Sequence, residues 1–488
     1  MQKKDLKYWI AGAVFVIIVI GATFPYMIAK SRINSLKDQL RKDGEPVTLR
    51  EYAAKYYKPV PDDKNGVATF DDAYSLHVSY KNFNRLIIVG IAYDPLFDQK
   101  ISPLLLPYVN EFLKDNKELL AKMEKLKEYD YFRPEYNWNE RASINFERLN
   151  EFRSVERLYA LKVESLIQQN KSSQTNKTLL EMFHVNKLLS QNPFMVGQLT
   201  FFACETLALD ALERSMNSLS STPAQLKKLQ DICAEHQKLA QERWYDMWKL
   251  EACIYLLFYN LDVASVPGIA PYVSIEYIKE IPIKYRRFYY YYSGCFHNDL
   301  YNAVKAKREI QGVPVDIFSK RKPELEKIDT ECKKNQSGYL FCPVGSSTSS
   351  RMYRAIARLR CAATACAVER YRLKYGKLPK DLNALVPEFM DKVPVDPFDG
   401  KPLRYFRGTF ELEYSEPFSD KKKEKEQEDS LFFAAEDNEF KIKTVTAKKS
   451  GYHVYSVGEN LTDDKILKFD RHRYHNLDIG FLVIDKKQ

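Results

Sequence analysis

The sequence predicts a mainly α-helical protein. An antiparallel helical array is followed by a C-terminal α+β module, and a single N-terminal transmembrane helix precedes both. Three observations lead there. Tyr8 to Ala29 (YWIAGAVFVIIVIGATFPYMIA) carries no charge. Apolar residues recur at three- and four-residue steps through most of the stretch between 103 and 262. Beyond 400 the pattern changes to short alternating segments between turn residues.

The apolar run is long enough to span a bilayer, since its helix would reach roughly 33 Å against a hydrocarbon core of about 30 Å. Tyr8, Trp9 and Tyr26 stand where interfacial aromatics belong, and Pro25 lies near the end, where a lost backbone hydrogen bond costs least. Met27-Ile28-Ala29 is a poor cleavage site, so residues 1–30 are expected to remain as an anchor. Lysines and arginines flank the run on both sides. Long domains translocate regardless of charge, so the expected topology puts the large C-terminal body outside the cytoplasm.

Residues 31–102 are expected to form a juxtamembrane helix and loops. Asp43-Gly44 should break the first helix, Thr48-x-x-Glu51 reads as a capping box, and Pro61 to Gly66 as a turn. Residues 103–336 form the helical domain, with helices expected over Pro107–Tyr129, Arg141–Gln169, Lys177–Ser190, Phe194–Ser218 and Pro223–Leu261. Leu226, Leu229, Cys233, His236 and Leu239 make one stripe, continued by Trp244, Trp248 and Tyr255, and such a stripe is expected to be core. Tyr285 to Tyr292 is a dense aromatic run, read as a helix interface. A Ser- and Gly-containing linker is expected over 337–350.

The module 351–488 should begin with an amphipathic helix over Arg351–Tyr375, stopped by Gly376, and a shorter helix over Leu382–Phe389. Strands are expected at Leu403–Phe406, Phe410–Tyr414, Glu439–Val445 and Tyr452–Val457, with the charged insertion 419–430 as an exposed loop.

Several function classes lose support. Net charge is +10, but Lys and Arg are interleaved with Asp and Glu along the whole chain, so no nucleic-acid partner is expected. The eight cysteines contain no CxxC pair. Cys332 and Cys342 are the best-placed pair for a bridge, whereas Cys361 and Cys366 point in different directions on one helix. No HExxH, GxSxG, phosphate loop or GxGxxG occurs, and His472 and His475 are the only close histidines. Cys295-Phe-His297-Asn298 has the residue types of a cysteine nucleophile site, but such triads assemble in space rather than in a row. Two readings remain. One is a non-catalytic interaction or scaffold protein of the envelope. The other is a hydrolytic or ligand-processing enzyme with a dispersed site of Glu, His or Arg in the helical domain.

The last third carries a more specific pattern. Glu369-Arg-Tyr-Arg-Leu-Lys-Tyr-Gly-Lys-Leu-Pro379, Leu382 to Pro387, Val393-Pro-Val-Asp-Pro-Phe-Asp-Gly-Lys-Pro-Leu-Arg-Tyr405, Tyr455-Ser-Val-Gly-Glu-Asn460 with Asp463-Asp464, and Asp478-Ile479 follow in order. This succession resembles the globular part of the major pseudopilin of type II secretion systems. The resemblance implies a calcium-binding loop, with Asp463, Asp464 and Asp478 as candidate ligands, hard oxygens suited to that ion. No pseudopilin leader motif precedes Tyr8, and residues 31–350 separate anchor from module, so assembly into a pilus is not expected. The whole layout, including Gly44-Glu-Pro-Val-Thr-Leu and Asn192-Pro193, resembles a family of bacterial single-pass membrane-anchored proteins. That likeness implies the inner (cytoplasmic) membrane, a periplasmic body, and the lipid bilayer and other envelope proteins as partners.

Overall fold

A computed structural model describes residues 24–78, 100–103, 105–138, 147–258, 295–333, 345–418, 441–465, 468–470 and 478–485. Most of the anchor expected over 1–30, the Tyr285–Tyr292 run, Cys342, the insertion 419–430 and His472 and His475 lie outside these residues. So do the side chains of Cys295 and Cys332.

The chain is mostly helical with a small sheet near its end. Helix α1 runs over 24–42 and is stopped by the Asp43-Gly44 turn, with Gly44 at φ +72°. Helix α2 (Leu49–Tyr56) opens on the expected cap: Glu51 N donates to Thr48 Oγ1 at 3.1 Å. The reciprocal bond reaches one residue further back, with Val47 N donating to Glu51 Oε2 at 2.8 Å. Helix α3 (Val67–Tyr74) follows a single 3₁₀ turn, Asp62–Lys64.

The helix expected over Pro107–Tyr129 is instead three pieces, α4 (Leu106–Asp115), α5 (Lys117–Met123) and a 3₁₀ turn, Glu124–Glu128. The break falls at Asn116, which is fully buried and bridges to Val78, its Oδ1 accepting from Val78 N and its Nδ2 donating to Val78 O. A side-chain bond to distant backbone displaces helix continuity there.

Four long helices make the array: α6 (Glu147–Gln168), α7 (Ser172–Leu189), α8 (Met195–Ser218) and α9 (Pro223–Phe258). Helix α7 starts five residues before the expected Lys177. The polar run that read as loop is drawn inward: Thr175 and Asn176 are buried, and Asn176 Nδ2 donates to Ser172 O and Ser221 Oγ. Among the described residues, α8 alone is long and apolar enough to cross a membrane, but Phe201, Cys204, Ala208, Leu209 and Leu212 bury it among its neighbours. Its hydrophobicity belongs to a core helix.

Helices α10 (Cys295–Gly312) and α11 (Phe318–Lys333) lead to α12 (Gly345–Tyr375). The expected linker therefore ends sooner. Residues 345–350 are the first turns of α12, and Thr348, Ser349 and Ser350 are buried. Asp329 on α11 is the reason, since it accepts from Gly345 N, Ser346 N and Ser346 Oγ at 2.9, 3.0 and 2.5 Å. A carboxylate answers both the orphan amides and the positive end of a helix. The helix expected over Leu382–Phe389 shrinks to a 3₁₀ turn, Leu382–Leu385, capped by Asp381 and followed by Pro387.

The four expected strands are two long ones, β1 (Arg404–Phe418) and β2 (Lys441–Ser456), paired antiparallel. With the short β3 (Lys468–Asp470), parallel to β1, and β4 (Ile479–Ile484), antiparallel to β2, they give the order β3-β1-β2-β4. The glycines that read as breaks face each other, Gly408 opposite Gly451. Gly451 is needed for close approach, because a Cβ there would lie 2.2 Å from Val483 O on β4.

One core runs from Phe70 in α3 through the helices to Val483 in β4, so helical array and sheet share a single interior. Helix α12 lies along α9 and α8 and carries the sheet on its other side. The outer edge of β4 ends on α8. Ile484 N donates to Asn217 Oδ1 at 2.7 Å, Asn217 Nδ2 donates to Leu482 O at 2.9 Å, and Leu482 N donates to Glu213 Oε1 at 2.5 Å. Asn217→Leu would strand a buried amide and a buried carbonyl, so it should cost about 2–4 kcal/mol. Denaturant unfolding measures this, and a loss under about 1 kcal/mol would show that the clasp is dispensable.

Candidate functional site: two buried polar centres

The first centre lies in the helical array. Glu156 on α6, Glu205 on α8 and His236 on α9 are all fully buried. His236 Nδ1 and Glu205 Oε1 are 2.9 Å apart. The Phe183 ring stands edge-on to the imidazole at 5.2 Å between centroids, and Phe201 flanks it at 6.3 Å. Burial pushes the Glu156 carboxyl well above the usual carboxylate range, and the nearby Glu205 adds to this. Burial also pushes up the neighbouring thiol of Cys204. Nine residues beyond Glu205 along α8, Arg214 forms a two-pronged buried pair with Glu164 of α6 at 2.8 and 2.6 Å.

The stripe Leu226–Leu229–Cys233–His236 is core, as expected, but its histidine is hydrogen-bonded to an acid rather than merely packed. Glu156 and Glu205 were not singled out by sequence reasoning, because a helical glutamate ordinarily faces water. A signal was present for Glu205. Its helical neighbours at three and four residues are Phe201, Phe202, Ala208 and Leu209, so every direction it can take is apolar.

The second centre lies where the sheet meets α12. Asp396 is fully buried and receives four hydrogen bonds: from Phe398 N at 2.8 Å, Ser456 Oγ at 2.8 Å, Val457 N at 2.9 Å and Arg404 Nη1 at 2.8 Å. Arg404 also holds Asp399, and Gly400 takes φ +79° to close the turn. The Asp396-Pro-Phe-Asp-Gly400 turn is thus a lock between the start of β1 and the end of β2.

Beside this lock lie the candidate calcium ligands. Asp463 is exposed and its Oδ1 accepts from Tyr455 Oη at 3.0 Å and Lys465 N at 3.3 Å. Asp464, also exposed, takes Asn460 Nδ2 on its Oδ2. Asp478 is buried, and its Oδ1 accepts from Asp464 N at 3.4 Å. The structure brings Asp478 to the backbone of the loop but turns Asp463 toward Tyr455. Among the described residues no group of three acidic, His or Cys side chains gathers as a metal cage.

Of the Cys295–Asn298 run, the side chains of His297 and Asn298 are described. His297 is buried edge-on to Tyr26 at 4.8 Å between ring centroids, and Asn298 accepts from Arg32. Cys204, Cys233, Cys253, Cys361 and Cys366 are buried free thiols. A crevice lies between Phe132, Tyr136, Arg148, Phe152 and Asn192.

No family model matches the chain, and no curated protein or solved structure does either.

One prediction follows from the Asp396 lock, and a second from His453 of β2 and His297 of α10, two buried histidines outside both centres. In Asp396→Asn the amide N–H₂ would face donors, so the variant should lose about 3–5 kcal/mol in denaturant unfolding; a loss under about 1 kcal/mol would contradict the lock. The second concerns acid. Burial lowers His453 to about 3 and His297 to about 4. Protonation therefore favours the unfolded chain, and stability present above the ordinary histidine value of about 6.5 is lost as pH falls through that window. Thermal unfolding should show a midpoint that declines below about pH 6.5, with a shallower decline in His453→Gln. An equal slope in the variant would rule out His453 as a contributor.

Proposed function

We propose that the chain is a membrane-anchored, extracytoplasmic scaffold of the cell envelope, holding its body against the bilayer for docking by other envelope proteins. Helix α1 is the observation that carries this reading. It continues from the uncharged stretch directly onto the body, where Ala29, Ile33 and Leu40 are buried. At its start Phe24, Met27 and Ile28 stand 58%, 62% and 39% exposed, a greasy collar where the lipid boundary would fall. Tyr26 packs on His297, and Arg32 donates to Asn298 of α10 at 3.3 Å. The seat of α1 on α10 makes the tether stiff.

The pseudopilin-like order of motifs favours an inner-membrane setting and protein partners. Exposed Leu373 and Tyr375 at the end of α12 and Val386 just beyond it offer such a partner apolar contacts. Calcium at the Asp463–Asp464 loop would tighten that end of the module. A second reading, a ligand-processing enzyme, draws on the convergence of Glu156, Glu205 and His236 from three helices.

Cell fractionation tests the scaffold reading. The full chain should stay in the membrane pellet through a high-salt wash and leave it only with detergent. Val16→Arg with Val19→Arg should release it, since each arginine at a helix centre costs about 3 kcal/mol of insertion. Wild-type protein in the soluble fraction would end the proposal.

A further inference from the structure

Glu156, Glu205 and His236 come from three helices and meet where the core reaches no surface. The Glu205–His236 bond uses one atom of each. Among the described residues, both oxygens of Glu156, Oε2 of Glu205 and Nε2 of His236 find no hydrogen-bond partner. Such a concentration of buried polar atoms is costly, and two carboxylates that act on each other through a low-dielectric interior cannot both be charged without strong repulsion.

The groups facing the cluster are few. Tyr159 of α6 lies beside Glu156, with Glu181 of α7 and Glu124 behind it. Cys204 of α8 faces both carboxylates and also feels the charges of Arg153 and Arg157 of α6, half-buried and exposed respectively. Cys233 of α9 faces Glu205, with Cys366 of α12 next to it. Phe183 of α7 and Phe201 of α8 supply the apolar walls.

We propose that this cluster is a proton-sensing centre: a proton kept on Glu156 lets α6, α8 and α9 close around the single carboxylate of Glu205, and its loss loosens that packing. The proton leaves to solvent as pH rises, which places a second negative charge beside Glu205. Burial raises Cys204, Cys233 and Tyr159 as well, from higher starting values. The sign is fixed by linkage. A carboxyl whose folded value is raised contributes its stability in full below the ordinary glutamate range and loses it as pH climbs toward the folded value.

The test uses the full chain in detergent micelles. Thermal and denaturant unfolding of wild type and Glu156→Gln are compared between about pH 5 and pH 9. Above the ordinary glutamate range, the wild-type unfolding constant should rise relative to the variant by about tenfold per pH unit until Glu156 ionises in the folded state. The variant should therefore match wild type at the acid end and exceed it at the alkaline end. Infrared spectra at neutral pH should show a protonated carboxyl band in wild type that the variant lacks. Parallel pH curves, or identical infrared spectra, would overturn the proposal. Glu156→Met is the second variant, and failure of both neutral replacements to fold would overturn it too, because a neutral side chain is what the closed packing is held to require.

Discussion

An edge strand has backbone groups that need partners, and in this molecule a helix supplies them. Asn217 and Glu213 stand on α8 as a neighbouring strand would, taking two amides and one carbonyl of β4. This covers the edge against foreign strands and fixes the sheet to the helical array. The consequence spreads outward. With β4 fixed, β2 is fixed through its register, and Gly451 must stay bare so that the two backbones can approach. Helix α12 is then held between the sheet and the pair α8–α9, where Arg358 reaches Asp210, and Arg360 and Arg370 reach Gln237 and Gln230.

Polar groups are admitted to this interior in three different ways. Asp396 is surrounded by donors, Arg214 and Glu164 cancel each other, and Glu156 makes no ion pair among the described residues. The first two specify geometry, because removing one partner leaves a buried charge uncompensated. The third is where we propose that proton occupancy and helix packing are tied together.

Much of the helical body was legible in the sequence, because long amphipathic stretches repeat their apolar residues often enough to average out local noise. Helices α8 and α9 begin within a residue of the expected positions. The errors have local causes. Asn116 broke a helix by bonding to Val78, Asn176 drew a polar segment into α7 by bonding to Ser221, and Gly408 and Gly451, which fell between expected strands, sit mid-strand. In each case a contact far away in sequence overrode the local preference. The Asp396 turn was recognisable from its residues, but its role as a lock was not, since Ser456 and Val457 lie sixty residues on. The buried acids were hidden for the same reason: charge is visible in a sequence, and the absence of water around it is not.

The seating of α1 on α10 has a mechanical meaning. A helix pinned by Ile33 and Leu40 is a bracket, not a leash. On the proposed anchoring, with the stretch before Phe24 in lipid, the body could neither swing far nor drift from the surface, and its orientation would be nearly set. Encounters would become a two-dimensional search among neighbours in the same sheet of lipid, and force applied to the body would pass straight into the bilayer.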